Sequence, residues 1–301
     1  MDRLRAMSVF LAVADEGGFA AAGRRLGLSA PSVTRMVSEL EEALGARLFH
    51  RTTRTVRLTP AGTRYQDDCR RILADVEEAD RQAGGLHEAP KGRVSVTGSA
   101  LFGRLVVTPL IFEAMDRFPE ISISTFFVDR IVHMVDEGFD VAVRIAHLPD
   151  SSLAAAKVGT VRRVLCASPD YLAQQGEPDT PAALADHSCV EFSAMVASGQ
   201  WDFEKAGRSL SHRPDARLRV NTADAAIAAA LDGRGITRVL SYMIADHVRA
   251  GTLMIILADF EVPPVPVHVV HKEAGQASGR VRAVVDHLVE RLRASPALDH
   301  D

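Results

Sequence analysis

Cysteine is scarce in this chain. Its 301 residues hold three, Cys69, Cys166 and Cys189, an odd number with no CxxC pair and no ligand-spaced cluster. That excludes a disulfide scaffold and a thiolate metal site, and it suits a reduced, cytoplasmic compartment. Hydrophobic runs are short as well. None approaches the ~18 residues of a membrane span, so no membrane partner is expected. No Ser-His-Asp, paired-carboxylate or metal-ligand motif stands at a working spacing, so neither an enzyme nor a cofactor is expected. Aromatic residues make up 5% of the chain, with one tryptophan, and there are four lysines against 31 arginines. Apolar residues are ample at 47%, enough for two or three packed domains at this length.

At the amino terminus Arg3 and Arg5 precede the apolar stretch from Met7 to Ala14, which ends in Ala12-Val13-Ala14 like a cleavage site. Cleavage there would leave a stub shorter than the usual ~15–30 residues of a leader. The same residues place Leu4, Met7, Leu11 and Ala14 on one face of a helix, and a first helix is the expectation. Phe19 to Leu26 then has helical apolar spacing and a glycine stop at Gly27. Ser29 is a good N-cap and Pro31 is tolerated only in a first turn, so a second helix starts at Ala30. It runs to Leu44 with Val33, Val37, Leu40 and Leu44 inward, Glu39, Glu41 and Glu42 on the solvent side, and Gly45 as the stop. Helices joined by so short a turn cross steeply, and Ala20, Ala21, Ala22 and Gly23 let their backbones approach.

This is helix-turn-helix geometry. The outward face of the second helix, with Ser29, Ala30, Pro31, Ser32, Thr34, Arg35 and Ser38, can reach base edges in the major groove of an operator. Leu48 to Arg51 and Thr55 to Leu58 alternate as strands around Thr52, Thr53 and Arg54, which makes a wing carrying Arg51, Thr52, Arg54 and Arg57. Ten arginines against six acidic residues make residues 1–65 net +4 in a chain of −4, leaving −8 for the rest. Positive charge confined to one end suits double-stranded DNA there and nowhere else.

Thr59-Pro60 opens a further helix, and no proline follows until Pro90. Tyr65, Cys69, Ile72, Val76, Ala79, Ala83 and Leu86 repeat at four and three, a heptad seam bordered by charge that wants a partner helix. A homodimer or homotetramer is the expected assembly, against the alternative that the seam packs on its own chain. From Arg93 short apolar strands alternate with helices, an α/β region. Strands are expected at Val94 to Thr97, Ile121 to Val128, Val141 to Ile145, Val161 to Ala167, Cys189 to Phe192, Ile236 to Leu240 and Val267 to His271. Helices are expected at Ala100 to Phe118, Ile131 to Glu137, Ala223 to Leu231, Tyr242 to Arg249 and Arg280 to Arg293. Trp201 to Phe203 and Ser209 to Val220 read as an antiparallel pair.

In this order of parts the chain resembles the LysR-type transcriptional regulators along essentially its full length. The resemblance rests on Phe19-Ala20-Ala21-Ala22, Leu26, the run from Ser29 to Arg35, Leu40-Glu41-Glu42, Leu44-Gly45, Leu48-Phe49, Arg51 and the run from Leu58 to Gly62. VDEGFDVAVRI, LPDSSL, RRVLCASPDYL and RGITRVLSYMIAD look like the CrgA-like branch. The resemblance implies a winged helix-turn-helix domain over 1–59, a dimerisation helix over 60–88, and over 89–301 a two-lobed α/β domain like the periplasmic binding proteins. Lobe 1 would take about 91–162 and 266–295, and lobe 2 about 163–265. It further implies a small-molecule effector in the cleft that alters DNA binding, and RNA polymerase as a partner. Ala30 departs from the family, where many members carry a long polar side chain, so more of the reading falls to Ser32, Thr34, Arg35 and the wing.

Gly98-Ser99-Ala100 and Asn221-Thr222-Ala223 each leave a strand or turn and open a helix whose N–H groups could hold an anion. In the resembling fold both helix starts face one cleft, so Ser99, Ala100, Phe102, Ile145, Phe192, Asn221 and Thr222 form the expected effector shell. A carboxylate is the first choice of ligand, with an apolar or aromatic body on Phe102 and Phe192; plain N-capping is the alternative. Gly233-Arg234-Gly235 is in the wrong order for a dinucleotide turn. His268 and His271 point to opposite faces of a strand. Cys166 and Cys189 lack the adjacent basic residue that would activate a redox pair. Two rival readings remain, a regulator with no ligand and an α/β solute-binding protein.

Overall fold

The structure, a computed structural model, describes residues 2–51, 56–83, 89–149, 153–193, 199–272 and 278–299. The chain divides into two compact units, Met1–Gly92 and Arg93–Asp301. Among the described residues no helix is long and apolar enough to cross a membrane.

In the first unit the expected stop and start signals act where they stand. Helix α1 (Arg3–Glu16) is capped by Asp2 and ends at Gly17 with φ +66°. α2 (Phe19–Leu26) ends at Gly27 with φ +65°, and α3 (Ala30–Leu44) is capped by the Ser29 hydroxyl. A Cβ on Gly23 would stand 2.7 Å from the Leu28 carbonyl oxygen, so the tight turn needs glycine there. Strands β1 (Phe49–Arg51) and β2 (Val56–Leu58) pair antiparallel from Phe49↔Leu58 to Arg51↔Val56, and α4 (Pro60–Ala83) follows. Phe10, Val13, Ala22, Val33, Val37, Leu40, Phe49 and Cys69 form one core.

Two inward faces differ from expectation. On α1 the buried residues are Ala6, Met7, Val9, Phe10, Ala12 and Val13, while Leu4 is exposed and Leu11 and Ala14 are only half-buried. The helix is packed by α2, α3 and α4 together, so its apolar surface is wider than one stripe. Glu41 is not on the solvent side. It is 4% exposed, because its carboxylate is needed inside.

The second unit holds two five-stranded mixed sheets. β3 (Gly92–Gly98) leads into a one-turn helix α5 (Ala100–Phe102), a π-turn at Gly103–Val107 and α6 (Thr108–Arg117). β4 (Ile121–Phe127), β5 (Val141–Ile145) and β6 (Leu153–Val161) follow. Then come β7 (Arg163–Ala167), α7 (Pro169–Gln175), β8 (Cys189–Phe192), β9 (Trp201–Lys205), β10 (Arg208–His212) and β11 (Ala216–Val220). α8 (Ala223–Leu231), β12 (Ile236–Leu240), α9 (Ser241–Arg249), β13 (Met254–Ile256), β14 (Val265–Lys272) and α10 (Gly279–Arg293) complete the order. The first sheet runs β4-β3-β5-β14-β6 and the second β11-β8-β12-β7-β13. The chain thus crosses between sheets after Val161 and returns at Val265, and these two residues are paired in the β6–β14 ladder.

Several segments depart from the sequence reading for physical reasons. The helix expected from Ala100 to Phe118 is interrupted by the π-turn, where Gly103 lies against Phe127 so closely that a Cβ would be 2.2 Å from the ring. Ile131 to Glu137 is not a helix. Its latter part is turns, clasped by the Glu137 carboxylate, which accepts from the Arg130 guanidinium at 2.8 Å and from the His133 N–H at 3.1 Å. Ser209 to Val220 is two strands, because Pro214 cannot donate to a ladder; β10 pairs antiparallel with β9, while β11 runs parallel beside β8. β6, α7 and β13 had no counterpart in that reading.

Candidate DNA-reading face and ligand cleft

On α3 the cap is doubled. Ser29 Oγ accepts from the Ser32 N–H at 3.3 Å, and the two hydroxyls lie 2.8 Å apart. Pro31, Thr34 and Arg35 are exposed, and Ser32 and Ser38 are half-buried. Thr34 Oγ1 donates back to the Ala30 carbonyl at 2.9 Å, which leaves its oxygen as an acceptor. The Arg35 side chain is 75% exposed and only loosely met by Glu39 at 3.8 Å, so its guanidinium is available to a groove. The Arg51 backbone lies in β1, while its side chain, Thr52 and Arg54 fall outside the described residues.

Behind this face sits a bracket that the sequence reading missed. Glu41 Oε1 accepts from the N–H groups of Leu48 at 2.8 Å and Phe49 at 3.1 Å, and Arg47 reaches Oε2 at 3.3 Å. Thr59 Oγ1 donates to the Arg47 carbonyl at 2.7 Å and accepts from the Gly62 N–H at 2.9 Å. Together they fix the wing strands to the end of the recognition helix and the start of α4. A signal for Glu41 was present: it stands four residues after Val37, on the buried stripe.

The expected seam of α4 is split. Cys69 is fully buried within this unit, and Tyr65 and Ile72 pack against the same core, with the Tyr65 ring 5.4 Å from that of Phe10. These three face inward to their own chain, so the first turns of the heptad pattern are core. Val76 is half-buried. The side chains of Ala79 and Ala83, and all of Leu86, lie outside the described residues.

In the second unit a cleft of about 340 Å³ opens between the two sheets. Of the expected shell, Ser99, Ile145 and Phe192 line it. Phe102 does not: it is fully buried, with its ring edge-on to Tyr242 at 4.9 Å, so it offers no platform to a ligand. Ala100 is not on the lining either, and its N–H is already taken by Asp129 Oδ1 at 2.9 Å. Asn221 and Thr222 are exposed and off the lining; the Thr222 hydroxyl caps α8, whose Asp224 is met by Arg104 at 2.8 Å. The sequence reading expected few fixed charges, yet Asp129, Arg130 and Arg144 line the cleft.

The Arg130 guanidinium, by hydrogen bonding, holds the Glu137 carboxyl down at about 2. A carboxyl depressed in this way keeps the clasp intact above the ordinary carboxylate range and loses it only as pH falls toward that value. A carboxyl-detected NMR titration is expected to place Glu137 there, and Arg130→Gln to return it toward the ordinary ~4.3.

Cys166 and Cys189 are free and buried, and burial pushes both thiols up to about 12. They belong to different hydrophobic clusters. Burial also pushes Cys69 up to about 11. Thiolate being the reactive form, the native protein is expected to leave all three unmodified by a disulfide reagent at pH 8 and to release them only in denaturant. Rapid native reaction at Cys166 or Cys189 would revive the redox pair.

A winged helix-turn-helix followed by a two-sheet α/β body with a lined cleft defines a DNA-binding regulator that answers to a small molecule. Residues 4–63 match the bacterial regulatory helix-turn-helix proteins of the lysR family, and residues 87–293 match the LysR substrate binding domain. The chain is 32% identical over 300 residues to a helix-turn-helix transcriptional repressor of Pseudomonas aeruginosa, covering 99% of this chain and 95% of that protein. It is 30% identical over 290 residues to the transcriptional activator AaeR of Escherichia coli K12, covering 96% and 94%. The solved structure of CrgA, a LysR-type regulator from Neisseria meningitidis, superposes with a TM-score of 0.62 at 28% identity over 96% of this chain and 98% of that one. The chain belongs to the LysR family of transcriptional regulators. Its DNA-binding helix-turn-helix lies in the amino-terminal unit and its effector-binding domain in the carboxy-terminal part of the chain.

Proposed function

We propose that α3 carries Ser29, Pro31, Ser32, Thr34, Arg35 and Ser38 into the major groove of an operator, with the wing arginines on the flanking phosphates. A second copy of the chain reads the other half-site, joined through the later part of α4 from Val76 onward. The cleft bearing Ser99, Ile145 and Phe192 takes the effector, a carboxylate with an apolar or aromatic body, and its occupancy sets how the oligomer grips DNA. The protein works in the cytoplasm, where promoter-bound regulators act on RNA polymerase.

The observation that carries this reading is the outward face of α3, with Arg35 75% exposed on a unit whose first 65 residues are net positive. The test is an anisotropy titration against the DNA flanking the protein's own gene at several salt concentrations. Arg35→Ala is expected to lower affinity by about 1–3 kcal/mol without changing the unfolding curve. Unchanged affinity would remove the helix from the groove.

A further inference from the structure

Among the described residues, two charged groups of opposite sign on the cleft lining have no counter-charge. Arg144 donates to the Val132 carbonyl at 2.6 Å, and among the described residues no carboxylate pairs with it. Asp129 accepts from the Ala100 N–H and likewise has no cationic partner among the described residues. Arg130, the third charged lining residue, is matched by Glu137. A guanidinium and a carboxylate thus line one cleft of about 340 Å³ without meeting each other.

A third polar group stands on the lining. Ser99 opens α5 with a hydroxyl that makes no capping bond of its own. The Tyr242 hydroxyl, its neighbour, is buried and lies off the lining. The remaining lining is largely apolar, including Val128, Ile145, Phe192, Leu240 and Met243.

A simple monoanion would satisfy Arg144 and set its body against an unmatched Asp129. A simple amine would do the reverse, and the helix start that could have drawn a ligand anion is already filled by the chain's own carboxylate. We propose that the effector is an amphoteric acid: its carboxylate pairs with Arg144, a separate ammonium or hydroxyl group is held by Asp129 and Ser99, and its apolar body lies on Phe192. This rests on the cleft being the effector site and narrows the class that site accepts.

Four probes sharing one aromatic body separate the alternatives by calorimetry on the full chain: L-phenylalanine, L-3-phenyllactate, 3-phenylpropionate and 2-phenylethylamine. The amino acid or the hydroxy acid is expected to bind at least tenfold more tightly than the plain acid and the plain amine. Asp129→Asn should bring the preferred probe down to the level of 3-phenylpropionate, and Arg144→Gln should weaken every acid at least tenfold. Ser99→Ala, which removes a hydroxyl that stands on the lining and caps nothing, should weaken the preferred probe several-fold and keeps the test open if Asp129→Asn fails to fold. Equal or tighter binding of 3-phenylpropionate, or no binding of any of the four, overturns the proposal. Phe192→Trp, which narrows the cleft, tells the two readings apart. A preference for the plain acid that Phe192→Trp abolishes leaves the cleft in place and removes the amphoteric ligand. An amphoteric preference that Phe192→Trp leaves untouched moves the site elsewhere and removes both.

Discussion

Glu41→Ala is expected to lower the stability of the amino-terminal unit by about 2–5 kcal/mol and to abolish operator binding at temperatures where the wild type still binds. The carboxylate is nearly fully buried and accepts from two backbone N–H groups that have no place in the short wing ladder. Alanine would leave both donors buried without partners, each at about 1–3 kcal/mol, besides losing the Arg47 contact. Glutamine keeps one acceptor oxygen and should cost less than alanine. Urea unfolding read beside DNA binding checks this. A Glu41→Ala protein within about 0.5 kcal/mol of wild type would mean that water replaces the carboxylate and that the bracket is not structural.

Phe102→Ala is expected to cost the effector-binding domain about 3–5 kcal/mol in the absence of any ligand. Its ring is fully buried, edge-on to Tyr242, where α5 gives way to the π-turn. Were it a platform for the effector, truncation would weaken ligand binding and leave the ligand-free melting temperature nearly unchanged. The buried ring predicts a large fall in that temperature first. Differential scanning calorimetry on the ligand-free variant decides between the two roles, and a shift below about 2 °C would return Phe102 to the ligand.

What could be read from the sequence was whatever short-range chemistry decides. Gly27 stops α2, and Ser29 and Gly45 cap and stop α3, through bonds spanning three to five residues, so the bounds of α3, its turn and its outward face were legible. Glu41 was misread because its partners are backbone groups on the far side of Gly45, and a carboxylate normally marks a solvated face. Strand β6 went unseen because Ala154, Ala155 and Ala156 have little strand preference of their own; it forms by pairing with β14, more than a hundred residues on. Phe102 and Thr222 sit at helix starts that resemble ligand sites locally, yet one ring turned into the core and the other residue caps α8 at the surface. Asp129 and Arg144 carried no local signal at all, since only the sheet brings them to one cleft.

The pairing of Val161 with Val265 means that β6 and β14 make a hairpin whose turn has been replaced by an entire folded layer, the stretch 162–264. Closing a chain of that length costs about 3 kcal/mol more than closing a four-residue turn. The first sheet therefore cannot be completed ahead of the second: β14, which joins β5 to β6, waits until the intervening residues have condensed and brought their own ends together. Folding should be sequential and slow for a protein of this size, and a destabilising change within 162–264 should retard the first sheet, although its strands all lie outside that stretch. A short engineered turn joining Val161 to Val265 would turn that late, long-range closure into an early, local one.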